Sequence, residues 1–121
     1  MFNFEKLEVW RKSVEFADFI YRLTRDFPSE ERFGLTIQMR RASVPISSKI
    51  AEGSSRSSKT DYSRFVELAA GSLFEVVSQA HIATRQAYLS DEGFRSLHAS
   101  AEELSRMLSG LKSYLIQAAG D

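Results

Sequence analysis

Apolar residues recur along this chain at steps of three and four, and no stretch shows the alternation of a strand. Breaks at Pro28, at Gly53 and over Ser90 to Gly93 divide the sequence into four segments of about 20 to 30 residues each. In the first, Leu7, Trp10, Val14, Ala17, Tyr21 and Thr24 form one helical seam, and Phe16, Ile20, Leu23 and Phe27 form a second beside it. A face this wide predicts two neighbouring helices. Leu35, Met39, Ala42, Ile46 and Ile50 make the seam of the second segment, with Phe33, Ile37, Val44 and Ala51 alongside. In the third, Tyr62, Val66, Ala69, Leu73, Val76, Ala80, Ala83 and Ala87 alternate steps of four and three, the knobs-into-holes spacing of a bundle. Phe94, Leu97, Ala101, Leu104, Leu108, Leu111, Leu115 and Ala118 do the same in the fourth.

Capping residues sharpen these boundaries. Ser29, followed by Glu30 and Glu31, predicts the start of the second helix, and Gly53 is placed to end it in a left-handed cap. Pro45 removes the hydrogen bond to the Arg41 carbonyl and predicts a kink rather than a break, with Ser47 and Ser48 positioned to repair it. Ser58 with Asp61 approximates a capping box for the third helix, and Ser90 with Asp91 and Glu92 caps the fourth. Long helices joined by short connections predict an all-α, up-down-up-down antiparallel four-helix bundle, with residues 1–121 as one domain.

Composition agrees with a globule: 43% of residues are hydrophobic and 26% charged. There is no cysteine, which excludes disulfides and thiolate metal sites and fits a reducing compartment. Met1 to Trp10 lacks the basic start and apolar run of a secretory signal. The apolar run from Val66 to Val77 is interrupted by Glu67, Gly71, Ser72 and Glu75, so no membrane span is expected and the cytoplasm is the expected location.

Catalytic chemistry finds no foothold. Carboxylate-bridged metal sites in bundles use Glu-x-x-His pairs, but Ser78 precedes His81 and Arg95 precedes His98 at that spacing. The Gly-x-Ser-x-Gly elbow, the Gly-x-x-x-x-Gly-Lys loop and the Gly-x-Gly-x-x-Gly turn are all missing. We therefore expect no enzyme activity, no cofactor, no metal and no small-molecule substrate. Glu52 opposes the dipole at the end of the second helix, with Arg41 and Arg56 as candidate partners. Gly71 sits in mid-helix at a cost of about 1 kcal/mol relative to alanine. Close helix approach would compensate, either inside the bundle or between subunits.

Net charge is zero, yet Arg32 to Arg64 carries seven basic and two acidic residues, leaving the remainder at −5. Clustered Lys and Arg are the usual footprint of phosphate-backbone binding, which makes Arg40, Arg41, Lys49, Arg56, Lys59 and Arg64 the candidate nucleic-acid-binding residues. The same side chains could equally neutralise acidic neighbours. Tyr62 and Phe65 read as core rather than base-stacking residues.

Several motifs together carry a resemblance: Phe4, Leu7, Val9 and Trp10; Tyr21, Phe27 and Pro28; Glu31, Gly34, Leu35, Gln38, Arg40, Arg41 and Ala42; Ile50 to Gly53; and Gly71, Ser72, Leu73 and Glu75. In this order they resemble the four-helix-bundle proteins encoded by intervening sequences within bacterial 23S ribosomal RNA genes. Lys49 stands where that family commonly has asparagine, and Pro45 lies two positions before its frequent proline. The resemblance implies a bundle that assembles into a homo-oligomeric ring, typically a homopentamer. Related accessory proteins of diversity-generating retroelements, which tend to be more basic, bind nucleic acid and a reverse transcriptase. The resulting expectation is a non-enzymatic oligomeric adaptor that binds RNA, DNA or a nucleoprotein through its basic segment. The alternative is a protein-protein scaffold that binds no nucleic acid. Apolar residues such as Val9, Phe16, Phe19 and Phe33 supply the expected excess surface for self-association.

Overall fold

A computed structural model describes residues 1–120, which form four long helices: α1 (Glu8–Thr24), α2 (Leu35–Ser54), α3 (Lys59–Arg85) and α4 (Asp91–Gly120). Short 3-10 turns occupy Asn3–Lys6 and Ser29–Glu31, and no strand occurs among the described residues. α1 packs on α2 and α4, and α3 packs on the same two helices, whereas the backbones of α1 and α3, and of α2 and α4, stay apart across the core. This is the square cross-section of a four-helix bundle.

The seams of α2, α3 and α4 form the core as their spacing predicts. Met39, Ile46, Ile50, Val76, Ala80 and Leu97 are fully buried, and Leu73, Leu104 and Leu108 nearly so. Of the two seams predicted in the first segment, the second is the buried one: Phe16, Ile20 and Phe27 lie in the core and Leu23 packs against it. Val9, Ser13, Phe16, Ile20 and Thr24 face the core, while Val14 and Tyr21 of the first seam are exposed. Ser13 and Thr24 are tolerated inside because their hydroxyls donate to the carbonyls of Val9 (2.7 Å) and Ile20 (2.8 Å). With those bonds made, two polar residues extend the buried face that Phe16 and Ile20 begin. Val9 and Phe16 are therefore core residues, and only Phe33 of the predicted excess surface is strongly exposed.

Three expected helix ends move. Ser29 opens a 3-10 turn, and α2 starts at Leu35, whose amide donates to the Glu31 carboxylate (3.0 Å). Glu31, not Ser29, supplies the anionic cap. Gly53 is not a left-handed cap, because no glycine in the chain has positive φ and α2 runs on to Ser54. A Cβ on Gly53 would lie 2.7 Å from Tyr62 Cδ1 and 2.8 Å from Phe65 Cβ, so this glycine lets α2 approach α3. Ala87 lies beyond α3 with φ 63°, not in its seam. The Tyr88 amide donates to the Ala83 carbonyl (2.9 Å) and the Ala87 amide to that of Thr84 (3.0 Å). These two bonds make a Schellman motif with alanine where glycine usually stands.

α2 continues through Pro45 without a break, held by fully buried Met39 and Ile46 on either side. The Ser47 and Ser48 hydroxyls donate to the Val44 carbonyl (3.2 Å each), not to that of Arg41. Predicted N-caps stand at α3, where the Asp61 amide donates to the Ser58 hydroxyl (3.0 Å), and at α4, where the Gly93 amide donates to that of Ser90 (3.0 Å). No helix among the described residues is long and apolar enough to cross a membrane.

Candidate nucleic-acid interface

The six candidate basic residues fall into two groups. Arg40 and Arg41 lie near the start of α2, and Lys49 follows eight residues after Arg41, about 12 Å further along the helix. Arg40 belongs to the joint between α1 and α2. Its Nε donates to the Thr24 hydroxyl (2.9 Å), one terminal nitrogen donates to the Tyr21 carbonyl (3.3 Å), and its guanidinium lies 4.7 Å from the centre of the Tyr21 ring. Arg41 is exposed and has no carboxylate partner among the described residues.

The second group surrounds the turn from α2 to α3. Lys49 pairs with Glu52 at 3.4 Å, correcting the expectation that Arg41 or Arg56 would do so; three residues along a helix bring Lys49 onto the face of Glu52. Asp61 takes both Arg56 (3.8 Å) and Arg64 (3.4 Å). Lys49 and Arg56 also converge on half-buried Phe65, at 5.8 and 4.5 Å from its ring centre. Lys59, the first residue of α3, is exposed and unpaired among the described residues. Four cations against two carboxylates leave this end at +2, and each exposed pair contributes only about 0 to 1 kcal/mol.

Phe65 as a platform for two cations was not legible in the sequence. It meets Arg56 only because the short turn folds back over the first turns of α3. The nearby Tyr62 hydroxyl is pushed above its ordinary pKa by burial.

Away from the basic residues, a groove of about 500 Å³ between α3 and α4 is lined by Phe74, Val77, Ser78, His81, His98 and Glu102. Both histidine rings pack against Phe94, at 4.7 and 5.6 Å, and His98 Nδ1 lies 3.2 Å from Glu102. Among the described residues no three His, Cys, Asp or Glu side chains gather as metal ligands. Close by, Glu67 meets Lys112 at 2.7 Å, and this hydrogen bond and charge hold its carboxyl below the ordinary glutamate range.

Gly71 lies on the exposed side of α3, and a Cβ there would meet nothing within 4 Å. No crossing inside the bundle needs this glycine, so its helix cost of about 1 kcal/mol stands uncompensated within one chain.

Four long helices around one core define the class as a four-helix-bundle protein. The chain belongs to the family described as 23S rRNA-intervening sequence protein, which it matches over residues 5–110. In fold it is similar to the crystal structure of a protein with unknown function from the S23 ribosomal protein family of Bacteroides thetaiotaomicron. The TM-score is 0.79 at 23% identity, covering 86% of this chain and 97% of that one. No curated protein matches the chain significantly.

Proposed function

We propose that the protein is a non-enzymatic scaffold that works by self-association, as a ring of up-down-up-down antiparallel bundles. Its apolar exposure carries this reading. Val14, Tyr21, Val44, Leu68, Phe74, Ile82, Tyr114 and Ile116 lie outside the core on all four helices, and exposed apolar patches mark interaction surfaces. Contacts between opposite ends of successive helices support the antiparallel order. Arg40, early in α2, meets Thr24 at the end of α1; Phe65, early in α3, lies beneath Lys49 late in α2; and Phe94, early in α4, packs on His81 late in α3. The family resemblance suggests five copies per ring, and the composition suggests the cytoplasm.

A second reading, an adaptor for RNA or DNA, is favoured by the +2 cluster around Phe65 together with the free Arg41 and Lys59. It is weaker, because Lys49, Arg56 and Arg64 already face carboxylates and Arg40 is held by α1. Fluorescence anisotropy of labelled RNA and DNA across a range of salt separates the two. The scaffold reading expects no salt-sensitive binding. Affinity that falls steeply with salt would establish the adaptor, provided it is lost when Arg41, Lys49, Arg56, Lys59 and Arg64 are reversed to glutamate with helical content intact. A single reversal should then flatten the salt slope by about one unit.

A further inference from the structure

The middle of the first seam that the sequence of α1 displays turns outward, while Leu7 and Trp10 pack against the edge of the core and Thr24 is buried. Trp10, Val14, Ala17 and Tyr21 keep the three-and-four spacing of a helix-packing seam, yet Val14 is 41% exposed and Tyr21 also reaches solvent. α2 carries a matching row. Ile37, Val44 and Ala51 recur every seven residues; Ile37 and Ala51 are half-buried, and Val44 is 41% exposed. Arg40 stands three residues after Ile37 and four before Val44, so it shares their face, and it lies against Tyr21. The two rows therefore adjoin and form an outward groove between α1 and α2, bordered by Arg40 and the unpaired Arg41.

On the outer side of α3 a second unused row has the same period. Leu68, Gly71, Glu75, Ser78 and Ile82 are separated by three, four, three and four residues. All five are exposed, Leu68 by 54% and Ile82 by 52%. Gly71, with open space around it, gives this ridge a bare centre where another helix can come close. Glu75 has no cationic partner among the described residues. The groove thus lacks a helix and offers arginine, while the ridge lacks a partner and offers a carboxylate.

We infer that the occupant of the α1–α2 groove is a second copy of this chain, seated through the Leu68–Gly71–Glu75–Ser78–Ile82 ridge of its α3. This rests on the self-association proposed above and adds which two faces meet. Groove and ridge belong to different sides of one bundle, so the contact is head-to-tail, and repeating it closes a ring when the rotation allows. Arg41 of one copy then faces Glu75 of the next, and the polarised charge of a neutral chain acquires a role.

Paired single-face variants test this. Val44→Glu blocks the groove and leaves the ridge intact; Leu68→Glu does the reverse. Both positions are exposed, so helical content should match the parent, and Val14→Glu and Ile82→Glu serve as second variants should either fail to fold. Light scattering should find a ring for the parent and a monomer for each variant alone. An equimolar mixture of Val44→Glu and Leu68→Glu should give a dimer, because one intact groove then meets one intact ridge. A variant that keeps the parental mass, or a mixture that stays monomeric, overturns the pairing while leaving self-association standing. A monomeric parent overturns both.

Discussion

Gly53 separates two accounts of how α2 ends. If the residue were a left-handed cap, asparagine would be tolerated there, since Asn adopts that conformation more readily than other side chains. In the structure Gly53 is helical and buried, and a new Cβ meets Tyr62 Cδ1 at 2.7 Å and Phe65 Cβ at 2.8 Å. Carbon atoms rest about 3.5 to 4.0 Å apart, so α2 and α3 would have to separate by roughly 1 Å. Phe65 Cβ is fixed to the α3 backbone and cannot swing aside. Overpacking of this kind costs about 1 to 3 kcal/mol, and replacing a helical glycine by alanine returns about 1. Gly53→Ala should therefore destabilise by about 1 kcal/mol, and Gly53→Asn, which is bulkier, by more. For a domain of this size that is a fall in Tm of about 3 to 6 °C for alanine. Gly110→Ala is the control: its Cβ meets nothing within 4 Å, so the propensity gain of about 1 kcal/mol should appear undiminished. Thermal and urea unfolding followed by circular dichroism, at fixed protomer concentration, reads all three. An asparagine variant as stable as the parent would refute the packing argument.

Leu73→Ala should cost about 2 to 5 kcal/mol, because Leu73 is buried on the α3 seam, whereas Arg56→Ala should stay within about 1 despite its contacts with Asp61 and Phe65; equal melting temperatures would mean the register of α3 is misassigned. Ala87→Gly should raise stability by about 0.5 to 1 kcal/mol in urea titration, since left-handed backbone costs alanine about 1 to 2 and the greater freedom of unfolded glycine takes back part of that gain. The Glu67 carboxyl, held low by its hydrogen bond and charge from Lys112, should titrate in NMR below the ordinary glutamate range and return toward it in Lys112→Met. Its folded pKa being the depressed one, the stabilisation is present above the unfolded glutamate range and is lost as pH falls through the folded midpoint, and an unchanged midpoint in the variant would remove Lys112 as the cause.

Much of this bundle can be read from spacing alone. The α2, α3 and α4 seams are runs of apolar residues whose period identifies the buried face, and Ser58 and Ser90 sit where caps belong. α1 carries two apolar faces, and spacing alone does not say which is buried; the Phe16, Ile20, Leu23 and Phe27 seam turns inward, and Ser13 and Thr24 extend it by bonding to their own backbone, which an apolar count does not register. Gly53 and Ala87 illustrate a second limit. A glycine near a helix end reads as a cap and an alanine in phase reads as a seam, until tertiary contacts show close packing at one and positive φ at the other. At the candidate interface the cations themselves were legible, but their partners were not. Asp61 gathers Arg56 and Arg64, and Phe65 collects Lys49 and Arg56, through a turn whose path the sequence does not encode in any short motif.

Self-association is the claim on which the functional reading stands, and the mass of the purified protein in solution tests it most directly. Light scattering at micromolar concentration should return a single closed oligomer, with five protomers as the expected number, and the species should persist on moderate dilution. A monomer mass across that range would contradict the scaffold reading and leave the exposed apolar rows on α1, α2 and α3 without a partner of their own kind.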